Sequence, residues 1–244
     1  MVTRLGFLAS GEGTNFQAII DHLKLGILSE CKAEVLISNV KGAGVVKRGE
    51  KEGIRVEVIP YETREVFERK VNSILEEEEV DLLLLAGFNR ILSKEFVEHW
   101  KGKCLNIHPS LLPSFGGLGY YGLRVHEEVL NSRCLVSGCT VHYVTEDVDM
   151  GPILTQAALK TFDSDPRTLQ RKINLLEHLT YPKAIQMHVD GLVSIEEIRN
   201  REEVSEWENV WEERQEEYLE KRRDEWERVW GEKLEVVLCK YVIR

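Results

Sequence analysis

The sequence predicts a doubly wound α/β fold built on a mostly parallel sheet, and two observations carry that prediction. Short β-branched or leucine-rich runs at residues 4–9, 33–38, 55–59 and 80–86 alternate with stretches of helical apolar spacing at 15–25, 42–52 and 62–78. The run at 80–86 reads VDLLLLA and sends apolar side chains to both faces, as a strand covered by helices on both sides requires. In such a sheet the ligand site is expected at the carboxyl ends of the strands.

The first run, RLGFLA, leads straight into Ser10-Gly11-Glu12-Gly13-Thr14-Asn15, which opens the first helix. Glycines let a backbone approach an anion, and a helix N-terminus offers unpaired N–H groups and a partial positive charge. The segment therefore reads either as an anion-binding loop or as a tight turn with a Thr or Asn cap. It is not the dinucleotide fingerprint, since Phe16 stands where the third glycine belongs, and no Gly-Lys-Ser/Thr follows to make a Walker loop. A later strand, Cys104–His108, ends at Pro109, and alternation puts Asn106 and His108 on one face with Ile107 on the other. An amide donor beside an imidazole at a strand's carboxyl end suits acyl transfer; it equally describes a core histidine satisfied by a neighbouring amide. Segments 134–144 and 152–160 read as an antiparallel pair, joined through Asp147-Val148-Asp149-Met150-Gly151-Pro152, whose residue types favour a turn. A long helix at 165–190 closes this part of the chain.

Composition changes near residue 198, which divides the chain into an expected catalytic domain, 1–198, and an extension, 199–244. From Arg199 to Trp230 there is no glycine or proline, charges alternate densely, and four of the five tryptophans occur, in two similar segments, EWENVWEE at 206–213 and EWERVWGE at 225–232. A continuous helix there would run about 46 Å and is expected to project in part from a domain of this size. Val204, Trp207, Trp211, Tyr218 and Val229 form a stripe with Leu219, Trp226 and Trp230 at its edge, which predicts a contact surface and a homo-oligomer. Leu234–Ile243 reads as a strand that adds to a sheet edge, beside Leu192–Ile195 or on a partner chain.

Bulk properties narrow the function. The five cysteines are odd in number and form no CxxC pair, so no disulfide framework and no metal site is signalled, and a reducing compartment is expected. A formal charge of -10 argues against a nucleic-acid partner. No segment approaches the roughly 20 apolar residues of a membrane span, so a cytoplasmic protein without a membrane partner is expected.

Taken in order, SGEGTN at 10–15, LAGFNRIL at 85–92, LNIHPSLLP at 105–113, SGCTVHYVTEDVDMGPIL at 137–154 and EHLTYP at 177–182 closely resemble the glycinamide ribonucleotide transformylase family over about residues 3–197. The resemblance implies the formyltransferase fold and transfer of a formyl group from the co-substrate 10-formyltetrahydrofolate to the amine of phosphoribosyl-glycinamide in purine biosynthesis. It implies a catalytic set of Asn106, His108 and Asp149, with Gly13, Thr14 and Asn15 on the substrate phosphate and Glu177 on its ribose or glycinamide end. Arg64, the segment Asn89, Arg90, Ile91 and Leu92, Asn106, and the loop Thr145, Glu146, Asp147, Val148 and Asp149 would line the folate pocket, with His142 supporting Asp149 from behind.

The chemistry is coherent with those roles. Attack of the amine on the formyl carbon creates an oxyanion that Asn106 and a protonated His108 can stabilise, and Asp149 is expected to raise the imidazole pKa. Two departures stand out: Asn89 replaces an apolar residue common in the family, and the loop 115–122, FGGLGYYG, lacks the usual Pro and His-containing turn. No catalytic role is therefore assigned within 114–126, and His126 is expected on a helix surface. A 10-formyltetrahydrofolate hydrolase is the alternative, although it would need no phosphate loop and would carry an added N-terminal domain; another folate-dependent formyltransferase, acting on methionyl-tRNA, would carry a basic β-domain at its C-terminus.

Overall fold

The computed structural model describes residues 2–161, 165–195, 201–230 and 242–243. Its strands are β1 (Thr3–Ala9), β2 (Cys31–Ser38), β3 (Arg55–Val58), β4 (Leu82–Leu85), β5 (Cys104–His108), β6 (Val136–Tyr143), β7 (Ile153–Lys160) and β8 (Val242–Ile243). Its helices are α1 (Thr14–Lys24), α2 (Gly44–Lys51), α3 (Arg64–Glu77), α4 (Lys94–His99), α5 (Leu123–Asn131), α6 (Pro166–Val189), α7 (Arg201–Lys221) and α8 (Arg223–Trp230). They make one sheet of order β3-β2-β1-β4-β5-β6-β7-β8. The first five of these are parallel, and β6 and β7 follow antiparallel, as the sequence predicts. Strand order reverses between β1 and β4, so the loops after these strands part and leave a crevice at their carboxyl ends.

The leucine run of β4 shows why the sheet has two covered faces. Leu82 and Leu84 pack with Leu5, Phe7, Phe16, Ile19 and Tyr181, under α1 and α6. Leu83 and Leu85 pack with Leu8, Val35, Ile37, Phe67, Val71 and Trp100, under α3 and α4. Each fully buried leucine stabilises the fold by about 1.5–3 kcal/mol relative to exposure. Helix starts are capped locally: Thr63 accepts from the Val66 N–H, Ser93 from Phe96 and Asp165 from Thr168. The short α4 was not anticipated by periodicity, because its six residues span less than two turns.

The extension differs from its expected form. Instead of one continuous helix, the extension is divided at Arg222, whose N–H donates to both Tyr218 and Leu219 carbonyls at 3.2 and 3.1 Å. Trp226 shares a surface with Trp211 and Tyr218, where all three are buried with Leu169, Ile173, Leu176 and Leu179. Val229 and Trp230 pack at the edge of this cluster, and the side chains of Val204 and Trp207 lie outside the described residues. The described members of the stripe therefore face this chain's own core. Of the expected terminal strand, residues 231–241 lie outside the described residues. Val242–Ile243 pairs antiparallel with β7, at Ala158 and Ala157.

Candidate active site

Strand register brings four polar side chains together at the carboxyl end of β5. Asn106 lies directly opposite His142 on β6, and His108 opposite Thr140. The turn after β6 then carries Asp149 back over both histidines, with Oδ2 3.4 Å from His108 Nδ1 and Oδ1 3.6 Å from His142 Nε2. Asp149 has φ +58°, a left-handed conformation that Asp adopts more readily than most side chains, and the Met150 N–H closes the turn on the Asp147 carbonyl. Two residues on, Gly151 passes so close to β6 that a Cβ would stand 1.8 Å from the Tyr143 carbonyl oxygen, which explains the glycine of the motif.

The partners fix most of the tautomers. A carbonyl can only accept, so His142 donates from Nδ1 to the Tyr143 carbonyl at 2.9 Å, and its Nε2 receives the Asn106 amide at 3.1 Å. His108 donates from Nε2 to the Phe115 carbonyl at 2.8 Å, which leaves Nδ1 facing Asp149. Burial pushes the His108 pKa below its ordinary value, and this outweighs the opposing pull of Asp149 and the Phe115 carbonyl. Asp149 does raise it, as expected, but desolvation of a side chain that is 4% exposed is the larger effect and sets the net direction. For Asp149, burial pushes upward, yet the neighbouring His142 and His108 rings and the Gly117 N–H at 2.9 Å together hold it below the usual carboxylate range.

Two of these partners, the Phe115 carbonyl and the Gly117 N–H, belong to the loop 115–122, to which the sequence assigned nothing. Both are main-chain groups, so no side-chain pattern could have announced them. His126 on α5 is buried, not on a helix surface as expected; it sits close enough to His108 to disfavour its own protonation, and burial takes its pKa to about 4. Thr140 accepts from the Leu112 N–H and donates to the Ser110 carbonyl, locking the Pro109–Leu112 segment beside the site.

A second polar group lies between α1 and α6. Gly13 precedes α1 with φ +74°, and a Cβ there would stand 2.4 Å from Val45 Cγ2, so only glycine fits. The side chains of Thr14 and Asn15 turn toward α6: Thr14 Oγ1 donates to Asn174 Oδ1 at 3.1 Å, and Asn15 Nδ2 donates to Glu177 Oε2 at 2.8 Å. Asn174 Nδ2 donates to the same carboxylate oxygen at 2.9 Å. Burial raises the Glu177 pKa, against the two amide bonds. The main-chain N–H groups before the first helical bond, Gln17 N–H to the Gly13 carbonyl, form a helix end of the kind that can take an anion. Asn174 went unnoticed in the sequence, although its place one turn before Glu177 was a usable signal.

The residues expected at a folate pocket lie on the segments that follow β3, β4 and β6, and on β5 itself. Arg90 stacks over the Tyr61 ring at 4.7 Å, and Arg64, exposed in the first turn of α3, bonds the same tyrosine. Asn89 Oδ1 accepts from Asn39 at 3.0 Å, and the Asn89 N–H donates to Ser10 Oγ at 3.0 Å. Ile91 is exposed, and Leu92 packs on the α3–α4 cluster. Thr145 bonds the Asp147 carbonyl, Glu146 pairs with Lys94 at the surface, and Val148 is half-buried. Among the described residues no group of three His, Cys, Asp or Glu side chains is placed to hold a metal ion, and no helix is long and apolar enough to cross a membrane.

Comparison with known proteins agrees with this arrangement. The formyl transferase family model matches residues 3–185. The trifunctional purine biosynthetic protein adenosine-3 of Bos taurus is 42% identical over 198 residues, which are 80% of this chain and 19% of that protein. The chain thus spans about a fifth of the length of that multifunctional relative. The phosphoribosylglycinamide formyltransferase of Escherichia coli (strain K12) is 34% identical over 194 residues, covering 78% of this chain and 89% of that one. The crystal structure of glycinamide ribonucleotide transformylase 1 from Symbiobacterium toebii superposes with a TM-score of 0.73 at 36% identity, covering 78% of this chain and 89% of that one.

Proposed function

As the chain belongs to the formyl transferase family, we propose that it transfers the formyl group of 10-formyltetrahydrofolate to the glycinamide amine of 5-phosphoribosyl-glycinamide, as a cytoplasmic enzyme of purine biosynthesis whose catalytic unit is residues 1–198. The observation that carries this reading is the presence of two polar groups at the carboxyl ends of one sheet: Asn106, His108, His142 and Asp149 at β5, β6 and the turn after it, and the N-terminus of α1, which follows β1, beside Glu177. A hydrolase would need the first and not the second.

The first turn of α1, from Gly13 to Asn15, takes the phosphate through main-chain N–H groups. Glu177, held by Asn15 and Asn174, takes the sugar or glycinamide end by accepting hydrogen bonds. Arg64 and Arg90, gathered around Tyr61, offer cations to the carboxylate end of the folate, while Ile91, Leu92 and the 145–149 loop offer it an apolar wall with polar edges. A new C–N bond forms between the amine and the formyl carbon, and the bond from that carbon to the folate nitrogen breaks. Asn106 Nδ2 uses one hydrogen on His142 and keeps its second for the oxyanion. His108, exchanging the Phe115 carbonyl for that oxyanion, supplies the other donor from Nε2, while Asp149 stabilises positive charge building on its ring. The proton lost by the amine leaves with the folate nitrogen.

The test is a formyl-transfer assay with 10-formyltetrahydrofolate, comparing the ribonucleotide with its dephosphorylated analogue. Transfer to the first, with a kcat/KM at least about a hundredfold above the second, is expected from loss of charge-assisted bonds. Release of formate without transfer would favour the hydrolase and overturn the reading.

A further inference from the structure

The family match ends at residue 185, yet the helix carrying Glu177 is buried on every side from Leu175 to Met187, and part of its cover comes from the extension. Four of the extension's polar side chains or apolar anchors meet α1 and α6 directly. Glu208 accepts from Lys183, a lysine only 1% exposed, at 2.7 Å. Gln215 Nε2 donates to the Leu179 carbonyl at 3.0 Å, next to the His178 carbonyl that Pro182, having no N–H, leaves without its helical donor. The same amide nitrogen stands 3.4 Å from His22 Nε2 on α1. His22 Nδ1 is spent on the Ala18 carbonyl at 2.8 Å, so Nε2 is an acceptor and the Gln215 amide spans both helices, one hydrogen to each. Burial takes the His22 pKa to about 4, which keeps that ring neutral and accepting. Trp211 and Tyr218 sit against His22, with ring centroids 6.3 and 4.2 Å away.

Leu179 is two residues beyond Glu177, and His22 is two turns beyond Asn15. The Asn15–Glu177 bond is a second tie between the same two helices. We propose that the extension is a positioning element for ribonucleotide binding: Gln215 joins α1 to α6, Glu208 pins the extension to α6 through Lys183, and together they keep the register that joins Asn15 to Glu177. The inference rests on the proposed function of that site. Neither residue touches the substrate; both act through the helices.

The experiment compares full-length wild type with Gln215→Leu, Glu208→Ala and Glu208→Gln, measuring both substrates' KM, kcat and melting temperature. The leucine is near-isosteric and leaves the apolar packing in place, and Glu208→Gln keeps an acceptor for Lys183. Gln215→Leu and Glu208→Ala are expected to raise the ribonucleotide KM by about five- to thirtyfold, with kcat within about threefold and the folate KM unchanged, because what is lost is substrate binding common to ground and transition states. Glu208→Gln is expected to recover most of the wild-type KM. If Gln215→Leu and Glu208→Ala lower only the melting temperature and leave the ribonucleotide KM within about twofold, the extension is merely structural and the proposal is overturned. A rise in both KM values together would overturn it too. Should Glu208→Ala fail to fold, Gln215→Leu alone decides by the same criterion; should both fail, an unmoved ribonucleotide KM in Glu208→Asp, which shortens the reach to Lys183, overturns the proposal and a selective rise upholds it. Wild type that transfers no formyl group to the ribonucleotide would instead defeat the functional reading, which separates the two failures.

Discussion

Asn106 and His142 face each other across β5 and β6, and the asparagine amide donates to His142 Nε2 at 3.1 Å while the imidazole's other nitrogen is held by the Tyr143 carbonyl. The histidine thereby fixes which way the asparagine amide points, and with it the direction of the hydrogen left for an oxyanion. His142→Leu removes the acceptor without removing volume. It is expected to lower kcat by about ten- to a hundredfold with both KM values little changed, the pattern for a donor used only in the transition state. Steady-state kinetics check it; an unchanged kcat would show that Asn106 holds its orientation unaided.

His108→Ala is expected to reduce kcat by about 10²–10⁴-fold, the usual scale for a group that donates or accepts a proton at the reacting centre. Isothermal titration with the ribonucleotide should show much less change in affinity, because the phosphate and sugar contacts proposed for it lie on α1 and α6. A variant keeping more than a tenth of the wild-type rate would exclude His108 from the chemistry.

Asp149→Asn bears on the balance at His108. Burial already depresses that imidazole's pKa, and Asp149 at 3.4 Å is the group opposing the depression most strongly. Removing the negative charge should move the His108 titration further down, which NMR of the labelled ring can follow. A titration that stays in place or moves up would show that the carboxylate is not coupled to the ring.

Stability should fall on mild acidification. Burial is the first cause of the lowered pKa of His22, His126 and His178, the last also repelled by Arg222; the values are about 4, about 4 and about 3. Their ordinary value is near 6.5, so between roughly pH 6.5 and the folded-state values the unfolded chain binds protons that the folded chain refuses. The free energy of unfolding therefore decreases as pH falls through that window and is insensitive to these groups above it. Urea titrations at pH 7.5, 6 and 5 read the slope. His178, whose two ring nitrogens have no hydrogen-bond partner among the described residues, is the clearest control. His178→Leu should flatten the slope by one proton, and an unaltered slope would assign the acid sensitivity elsewhere.

Leu84→Ala offers a check on the core. Leu84 is fully buried between β1, β5 and the α1–α6 layer, and truncation should cost about 2–5 kcal/mol through lost burial and an unfilled cavity. Denaturant melts would show it as a lower midpoint with an unchanged slope.

The layered sheet, its parallel core and its antiparallel continuation were legible because period-two and period-3.6 apolar patterns state directly which side of an element is buried, and the VDLLLLA run states that both are. Asn106 and His108 share a face by strand alternation alone, and the glycine loop announces a helix N-terminus by residue type. Helix α4 escaped because six residues are too few to display a period. The direction of the His108 pKa escaped because pairing can be inferred from residue identity, whereas desolvation depends on everything packed around the ring.

What the sequence by itself determined, then, is local: which segments are strands and helices, which faces they bury, and which chemical groups stand at their ends. Only the tertiary structure decided where those groups point. It turned Thr14 and Asn15 toward α6, set the Phe115 carbonyl and Gly117 N–H against His108 and Asp149, and laid Trp211 and Trp226 of the extension in the chain's own core. The physical reason is that main-chain donors carry no residue signature, and that an apolar stripe specifies that it must be covered without specifying by what. The cover is chosen by which other apolar surface lies within reach, and here that surface is the outer side of α1 and α6.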